Sequence, residues 1–301
     1  MISIIIIVKN DKGVENTLNT LMEVEKPEKT EIIVVDASEG SLDFIKNKFP
    51  QIRWIYFHNK TNKKITIPEQ RNLGIKRAKG EIICFIDAGC TINKNWLVEL
   101  IKPIKTENED FITGKIISLA KSIHNNSFKL REGKKYLTGS GTANIAFKKE
   151  IISKIGLFDC SFDYGSDMDF SLRAIDKGIK IRYAPSAIMY IDWGNFKQDL
   201  RRSFYYGIAK MRLFRKHGNI VKRIIKNPDD FFAIYAVLYF IYIISIPFIF
   251  PFFYFYPILL IIPFIKNIKN KPFRKLIADF FWGMGFLKEL FFINNNAPNK
   301  K

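Results

Sequence analysis

A run of five apolar residues that stops at an aspartate constrains the fold more than any other feature of the sequence. Ile82–Ile86 follows soon after Gly80, and Asp87 comes directly after it, before two small residues. An unbroken apolar run of this length is typical of a strand that is buried on both faces, as in a parallel sheet. Ligands of open α/β sheets bind at the carboxyl ends of such strands. Asp87 is therefore predicted to lie at a ligand site.

The sequence before this run alternates between strand-like and helix-like patterns. Apolar runs predict strands at 2–8, 31–38 and 52–58, and apolar residues at helical spacing predict helices at 13–25, 41–49 and 66–80. The first run lacks the basic residues and the length of a signal peptide, so it is interpreted as a strand. Thr66 and Glu69 are predicted to form a capping box, and Gly80 to end the third helix. The alternation predicts an α/β fold with a mostly parallel, Rossmann-like sheet flanked by helices.

Asp36 and Asp87 both follow apolar strands that are predicted to end at the same edge of this sheet. Either aspartate alone is equally well interpreted as a helix cap or a turn residue. Together with Arg71, from the predicted helix between them, they favour a polar ligand, because Asp accepts hydrogen bonds and Arg pairs with phosphate. The sequence contains neither a G-x-x-x-x-G-K-[ST] loop nor a G-x-G-x-x-G motif after the first strand. A P-loop or a dinucleotide site is therefore not supported.

The cysteines and histidines limit the kinds of metal site, disulfide and acid–base chemistry that the protein can have. Cys84, Cys90 and Cys160 suit neither a zinc site nor a disulfide framework, and they indicate a reducing compartment. The three histidines are scattered singly and are interpreted as surface or structural residues. Acid–base chemistry is therefore expected to fall to carboxylates.

The net charge of +19 resembles that of a nucleic-acid-binding protein, but its distribution indicates a membrane surface instead. Residues 201–301 contain 17 Lys and Arg but only 4 Asp and Glu, and they include Phe231–Ile265, 35 residues without a charge. As one helix this run would be about 52 Å long, against a hydrocarbon core of ~30 Å. It predicts a membrane hairpin that reverses at Pro247 and Pro251, either as two short spans or as a re-entrant loop. A buried hairpin in a soluble core is the alternative interpretation.

The segments around this hairpin are basic, which predicts that both of its ends are cytoplasmic. From Arg201 to Lys226 there are nine basic residues and no acidic one. With its aromatic residues, the segment 196–230 is predicted to lie at an interface on anionic lipid, and RNA binding is the weaker alternative. The remaining residues, 266–301, are interpreted as a basic linker, an amphipathic helix in the membrane plane and a frayed tail.

Five motifs follow one another within residues 1–220. They are SIIIIVKN at 3–10, IIVVDAS at 32–38, QRNLGIKRAKGEIICFIDAGC at 70–90, GTANIAFKKEIISKIGLFD at 141–159 and YGSDMDFSLRAIDKGIKIRYAPSAIMY at 164–190. In this order they resemble the family 2 inverting nucleotide-sugar glycosyltransferases, which have the GT-A fold. The resemblance implies a GT-A catalytic domain at 1–195.

The same resemblance implies a nucleotide site made of five residues. Asp36 would bind the base and Arg71 would contact the nucleotide, while Val8 and Asn10 would line the site at the end of the first strand. Asp87 would be the first Asp of the D-x-D motif, so that it would contact the nucleotide and also bind the metal. The implied cofactor is a divalent cation, Mg²⁺ or Mn²⁺.

The implied general base is Asp167, which would match the Asp of the family's Glu-Asp motif and accept a proton from an acceptor hydroxyl. Three departures from the family pattern bear on the metal site and on the catalytic residues. The last Asp of D-x-D is Gly89 and the Glu of Glu-Asp is Ser166, and the His that commonly follows the last strand is replaced by Ile191. The D-A-G form still looks like a subset of family 2 proteins with short membrane tails.

Three further features of the site are expected from the sequence. Asp192 is an alternative carboxylate for the metal, and Mg²⁺ needs few protein ligands because a diphosphate and water supply the rest. The stretch Thr138–Thr142 suits a loop beside the donor sugar, although a plain turn fits it equally well. Asp169 is interpreted as a cap or a brace.

The predicted function is transfer of a sugar from a nucleotide-diphosphate donor, a UDP-sugar, to a lipid-linked or cell-surface glycan acceptor with inversion. The enzyme is expected at the cell membrane with its catalytic domain on the cytoplasmic side. Its expected partners are the donor, the acceptor and anionic lipids, and no nucleic acid. The alternative, based on Gly89 and Ser166, is a catalytically silent nucleotide-sugar-binding or scaffold protein with the same fold.

Overall fold

The computed structural model describes residues 1–60, 65–119, 131–218 and 272–291, together with positions 261 and 265. The described residues up to Asp192 form one compact unit, and those from Trp193 onward form a second. The hairpin predicted at 231–265 lies outside the described residues, apart from those two single positions. Within the part of the chain that is described, no helix is both long enough and apolar enough to cross a membrane.

Four parallel strands form the first half of the sheet in the N-terminal unit. They lie in the order β3-β2-β1-β4, and each is parallel to its neighbours. Their bounds are β1 (Ile2–Val8), β2 (Thr30–Asp36), β3 (Arg53–Tyr56) and β4 (Ile82–Ile86), and they are connected by α1 (Val14–Glu23), α2 (Asp43–Lys46) and α3 (Ile67–Arg77). The predicted alternation of strands and helices is confirmed over this stretch.

Beyond β4 the sheet is mixed, which corrects the expectation of a mostly parallel sheet. The remaining elements of this unit are β5 (Thr91–Ile92), α4 (Trp96–Thr106), β6 (Phe111–Ser118), β7 (Tyr136–Leu137), β8 (Asn144–Lys148), α5 (Ile151–Ile155), α6 (Ser166–Asp176) and β9 (Ile181–Ile191). The described strands follow the order β3-β2-β1-β4-β8-β6-β9-β5, with β7 also paired to β9. β8 is antiparallel to both β4 and β6, whereas β6 and β9 are parallel. Strand direction depends on the connections between strands, which apolar runs alone do not reveal.

Each face of the sheet is covered by its own hydrophobic core. Successive side chains of a strand point to opposite faces, so Ile4 and Ile6 of β1 lie in one core and Ile5 lies in the other. The first core contains residues of α1 and α4, and the second contains residues of α3, α5 and α6. Because both faces are packed, the strand ends are fixed, and the side chains that follow them are held in defined positions.

The two ends of α3 differ from the predicted ones. Thr66 is the N-cap residue, but its side chain makes no capping hydrogen bond, and its hydroxyl is instead hydrogen-bonded to the side-chain amide of Gln70 at 3.1 Å. The helix ends at Arg77, so Gly80 does not close it. Gly80 packs against β1, where a Cβ atom would lie 2.6 Å from the backbone nitrogen of Ser3. Glycine is thus required at position 80 by a close approach of two backbones.

The described part of the second unit consists mainly of two packed helices, α7 (Phe196–His217) and α8 (Pro272–Phe291). They approach each other closely at two glycines. A Cβ atom on Gly207 would lie 1.9 Å from the carbonyl oxygen of Trp282, and one on Gly285 would lie 1.9 Å from that of Phe204. A larger residue at either position would force the helices apart.

Ion pairs hold the same two helices together near the C-terminal end of α8. Glu289 is 4% exposed, and its Oε1 lies 3.2 Å from Nε of Arg212 and 3.2 Å from Nη1 of Arg215. Arg215 also donates hydrogen bonds to the carbonyl oxygens of Glu289 and Leu290, at 2.6 and 3.1 Å. The buried carboxylate is therefore balanced by positive charge, and two carbonyls at the end of α8 gain donors.

Candidate active site

Asp36 closes β2 with its carboxylate inside the protein. The residue is 1% exposed, and Oδ1 accepts a hydrogen bond from the Ser38 amide at 2.7 Å while Oδ2 accepts one from the Trp54 indole at 3.0 Å. The side chain is thus held by its own turn and by β3. Each carboxylate oxygen has a second lone pair, so this geometry leaves acceptor capacity for a ligand.

The turn after β1 lies beside this carboxylate. Val8 is buried, pairs with Asp36 in the sheet, and accepts a hydrogen bond from the Ala37 amide at 2.9 Å. Asn10 is exposed at a φ of 55°, and its amide donates to Oγ of Ser38 at 2.7 Å. The structure therefore brings three of the predicted nucleotide-site residues together at the ends of β1 and β2.

Arg71 contributes a buried positive charge from α3. It is 7% exposed, its Nη1 donates to Oγ of Ser166 at 3.3 Å, and its guanidinium carbon lies 5.4 Å from the centre of the Phe158 ring. Its Nε atom is buried without a hydrogen-bond partner. Burial lowers the pKa of the guanidinium, and the nearby charges of Asp87 and Asp167 oppose that shift. An arginine stays protonated in such a site, so Arg71 is a fixed cation.

Asp87 follows β4 directly and is partly buried. Burial raises the pKa of its carboxyl group, the charge of Arg71 opposes this, and the charge of Asp167 adds to it. No described residue donates a hydrogen bond to this carboxylate. A carboxylate in this state gains stability from an added cation or hydrogen-bond donor, which is what a ligand site requires.

Asp167 is the second residue of α6. Its Oδ1 accepts a hydrogen bond from the Met168 amide at 2.8 Å, and a Cβ atom on Gly141 would lie 3.3 Å from Oδ2. Because Ser166, the preceding residue, is bonded to Arg71, the start of α6 is tied to α3. Asp87, Arg71 and Asp167 therefore lie close enough to affect one another's charge.

The neighbours of Asp167 are structural. Asp169 is fully buried and its Oδ2 lies 2.9 Å from Nε of Arg173, so it acts as a brace within α6. The stretch 138–142 is attached to the same helix, because the Ser140 amide donates to Oγ of Ser171 at 3.2 Å and that hydroxyl donates back to the Ser140 carbonyl at 2.8 Å. These bonds hold Gly141 next to Asp167.

Sequence reasoning missed Asp11, in the turn after β1. Its Oδ1 accepts a hydrogen bond from the Gly13 amide at 2.8 Å. A Cβ atom on Gly89 would lie 3.6 Å from the other oxygen, Oδ2. The contact depends on the close packing of two backbones, since a Cβ atom on Gly13 would lie 2.9 Å from Cα of Gly89. No local pattern in the sequence signals such a contact.

The oxygen ligands around the D-A-G turn fit a hard divalent cation. Among the described residues, no three Asp, Glu, His or Cys side chains are grouped as a metal site. Asp87 and Asp11 nevertheless flank the turn, and the space that a side chain at position 89 would enter adjoins Oδ2 of Asp11. Carboxylates are the ligands that Mg²⁺ and Mn²⁺ prefer, and two suffice where a diphosphate and water complete the shell. The role of Asp192 stays a prediction.

Family models match both halves of the chain. The model described as Glycosyl transferase family 2 matches residues 3–162, more than half of the chain. A second model, Glycosyl transferase family group 2, matches residues 91–265. Glycosyltransferase AglE of Haloferax volcanii is 23% identical over 230 residues, which are 71% of this chain and 74% of that protein.

Two solved structures show the same fold at low sequence identity. The mannosyltransferase PcManGT from Pyrobaculum calidifontis, in complex with GDP-Man and Mn²⁺, has a TM-score of 0.55 at 19% identity and covers 69% of this chain and 63% of its own. S. aureus TarS 1-349, in complex with UDP-GlcNAc, has a TM-score of 0.52 at 16% identity and covers 68% and 66%. The chain thus spans slightly less than two thirds of each solved chain. From the family match, this chain belongs to glycosyltransferase family 2 and is a glycosyltransferase that uses a nucleotide sugar.

Proposed function

We propose that this enzyme transfers a sugar from a UDP-sugar to a lipid-linked or cell-surface glycan acceptor, with inversion, at the cytoplasmic face of the cell membrane. The observation that carries the proposal is the convergence of Asp87, Arg71 and Asp167 at the carboxyl end of β4. A cation near two carboxylates suits a reaction in which an anionic leaving group departs as a proton is removed.

Inversion requires one displacement at the anomeric carbon. The acceptor oxygen forms the new bond as the bond to the diphosphate breaks, and Asp167 accepts the proton of the acceptor hydroxyl. Oδ2 of Asp167 faces Gly141, where no side chain obstructs it. Arg71 is fixed and already desolvated, so it stabilises the negative charge that develops on the leaving diphosphate without reorganisation. A divalent cation held by Asp87 would supply further positive charge to the same oxygens when bound.

The choice of uridine rests on Asp36. A buried carboxylate is an acceptor for a ring N–H group, which uracil offers and which a neutral adenine ring lacks at its pairing edge. The two known bonds to Asp36 hold it in a fixed orientation. TarS 1-349 is described with UDP-GlcNAc, which agrees with a uridine donor, whereas PcManGT is described with GDP-Man.

The membrane part of the proposal is supported by the outer face of α8. Phe273, Ile277, Met284 and Phe291 are 69, 43, 40 and 71% exposed, and their spacing of 4, 7 and 7 residues places them on one side of the helix. The opposite side of α8 packs on α7 through Gly285 and its neighbours. An exposed apolar stripe on a basic helix pair fits the surface of an anionic bilayer.

The full-length chain in detergent tests the catalytic proposal directly. It is offered UDP-, GDP- and ADP-sugars with Mn²⁺ and lipid-linked acceptors, and the anomeric configuration of the product is read by NMR. We expect transfer from a UDP-sugar with inverted configuration. Uridine diphosphate at 100 times its dissociation constant should stabilise the fold by about 2.7 kcal/mol in a thermal shift. A retained configuration, or a preference for GDP-sugars, would contradict the proposal.

A further inference from the structure

The D-A-G turn lacks a second carboxylate, yet one lies next to it in space. Gly89 has a φ of 81° and is exposed, and a Cβ atom built there would meet one neighbour within 4 Å, Oδ2 of Asp11 at 3.6 Å. A side chain at position 89 would therefore extend into the region that the Asp11 carboxylate already borders. An aspartate at position 89 and Asp11 would thus place their carboxylates in the same region.

The backbone holds Asp11 in this position. Its Oδ1 is bonded to the amide of Gly13, two residues further along, which leaves Oδ2 directed toward the D-A-G turn. No described residue donates a hydrogen bond to Oδ2. Gly13 in turn packs directly on Gly89, and a Cβ atom on Gly13 would lie 2.9 Å from its Cα atom. Two glycines thus allow the turn after β1 to approach the turn after β4.

Electrostatics link Asp11 to Asp87, on the other side of the turn. Burial raises the pKa of the Cys90 thiol, and the charges of Asp87 and Asp11 raise it further. Both carboxylates therefore lie close to the same residue. Among the described residues neither carboxylate forms an ion pair, and Arg71, the positive charge near Asp87, is also near Asp167.

A separate observation indicates that an anion belongs beside Asp87, which lies near Arg71. Arg71 is more than nine-tenths buried, and its Nε–H group has no acceptor. A buried donor without a partner is costly, and a diphosphate oxygen would satisfy it. A diphosphate in that position would lie next to Asp87. A divalent cation between the diphosphate and the two carboxylates would then balance the negative charge of the diphosphate and of the carboxylates.

We propose that Asp11 replaces the missing second aspartate of D-x-D, so that Asp11 and Asp87 together bind the divalent cation of the donor complex. The inference rests on the proposed function, because the diphosphate of a nucleotide sugar completes the coordination shell. Only oxygen ligands are involved, as Mg²⁺ and Mn²⁺ prefer. The carboxylate pair comes from two separate turns instead of from a single motif.

The test measures Mn²⁺ binding to the full-length chain in detergent, by the loss of the free Mn²⁺ signal in electron paramagnetic resonance. It is run with Mn²⁺ alone and with Mn²⁺ plus UDP, and UDP binding without metal is measured separately. Asp11→Asn should weaken Mn²⁺ binding at least about tenfold, because affinity for such ions follows the number of charged ligands. UDP binding without metal should stay unchanged.

A relocated carboxylate provides the stronger test. Adding Gly89→Asp to Asp11→Asn should restore Mn²⁺ affinity to within about threefold, since a Cβ atom at position 89 meets only an ordinary contact and Asp is among the residues that tolerate positive φ. The matched control is Asp110→Asn, which removes a carboxylate paired with Lys148 near the opposite edge of the sheet and should leave Mn²⁺ binding unchanged.

The outcomes separate this inference from the proposed function. Unchanged Mn²⁺ affinity in Asp11→Asn, or an equal loss in Asp110→Asn, overturns the role of Asp11 while UDP binding leaves the proposed function standing. A double variant that binds UDP without metal but does not regain Mn²⁺ also overturns it. A wild-type chain that binds neither UDP nor Mn²⁺ overturns the proposed function together with the inference.

Discussion

The edge of the sheet and the helix pair each place carboxylates near arginine, but they leave these carboxylates in different states. In the helix pair, Glu289 is 4% exposed and is paired with both Arg212 and Arg215. At the sheet edge, one guanidinium, Arg71, influences two carboxylates, and Asp87 accepts no hydrogen bond from any described residue. Negative charge is balanced within the helix pair and is in excess at the sheet edge.

The difference separates a structural ion pair from a binding site. A buried charge that is fully paired is part of the folded structure, and removing it destabilises the protein. A charge that lacks a partner destabilises the free protein slightly and is retained where a ligand supplies the missing partner. Removing a carboxylate should therefore reduce activity at the sheet edge and stability in the helix pair.

The largest expected effect is that of Asp167→Asn. This change keeps the shape of the side chain and removes the proton acceptor, so transfer should fall by roughly 10²–10⁴-fold, the usual contribution of a positioned general base. Nucleotide affinity should hardly change, because the proton moves only in the transition state. Transfer rate and UDP affinity are measured on the same preparation.

Asp163→Asn is the matched control for Asp167→Asn, because Asp163 is exposed in the segment that leads into α6. It should leave both transfer and unfolding unchanged. Near-wild-type transfer by Asp167→Asn would exclude the base. Asp169→Asn, which breaks the buried pair with Arg173, should lower stability more than rate.

The second prediction concerns the helix pair, where removing a carboxylate should lower stability instead of activity. Glu289→Gln leaves two arginines without their carboxylate, which should cost about 3 kcal/mol, the lower end for a buried pair because the Arg215 side chain is 26% exposed. Hydrogen exchange of α7 and α8 in the full-length chain should accelerate, while UDP affinity stays the same. Glu132→Gln, in an exposed pair with Lys115, should change neither. Unchanged exchange in Glu289→Gln would mean that the pair does not hold the helices together.

The sequence was sufficient for the parts of the site that follow strands. Asp36 and Asp87 stand out because a charge interrupts an apolar run, and the structure places both directly at strand ends, as predicted. Arg71 was predicted from its helix, but its burial beside Ser166 and Phe158 depends on how α3 packs. The roles of these residues in binding and catalysis remain predictions.

Other features could not be read from local patterns because they arise from tertiary contacts. Asp11 is an exposed turn residue, and only the packing of Gly13 on Gly89 brings it next to the D-A-G turn. The antiparallel insertion of β8 between β4 and β6 has no signal in an apolar run. The sequence predicts α8 as an amphipathic helix in the membrane plane, but its close packing on α7 through Gly285 is a tertiary contact that no local pattern reveals.

The third prediction concerns Asp36, whose carboxylate is hydrogen-bonded within the protein and is also proposed to bind the base of the nucleotide. Asp36→Ala should weaken UDP about tenfold, or 1.4 kcal/mol, and should also lower stability because the Trp54 indole loses its acceptor. Trp54→Phe removes that donor but keeps the carboxylate, so it should lower stability with little loss of UDP affinity. Isothermal titration with UDP and ADP measures the affinities, and thermal unfolding of the same variants measures their stability. Equal affinity of the wild type for the two nucleotides would remove the base-reading role.

The smallest expected effect concerns the outer face of α8, where the helix pair presents apolar side chains instead of charges. A spin label at Met284→Cys should become accessible to oxygen and shielded from a water-soluble nickel complex when the chain binds anionic vesicles, because that face is proposed to enter the lipid surface.

A label at Phe44→Cys, an exposed apolar position of the first unit, is the control and should stay accessible to nickel. Cys160 is replaced by serine in both, since Cys84 and Cys90 are buried. The contribution of this face is modest because the uncharged run 231–265 is expected to anchor the chain independently, so the label reports contact and not overall binding. Equal nickel accessibility at the two positions would show that the stripe does not touch the bilayer, and the apolar face of α8 would then need another partner.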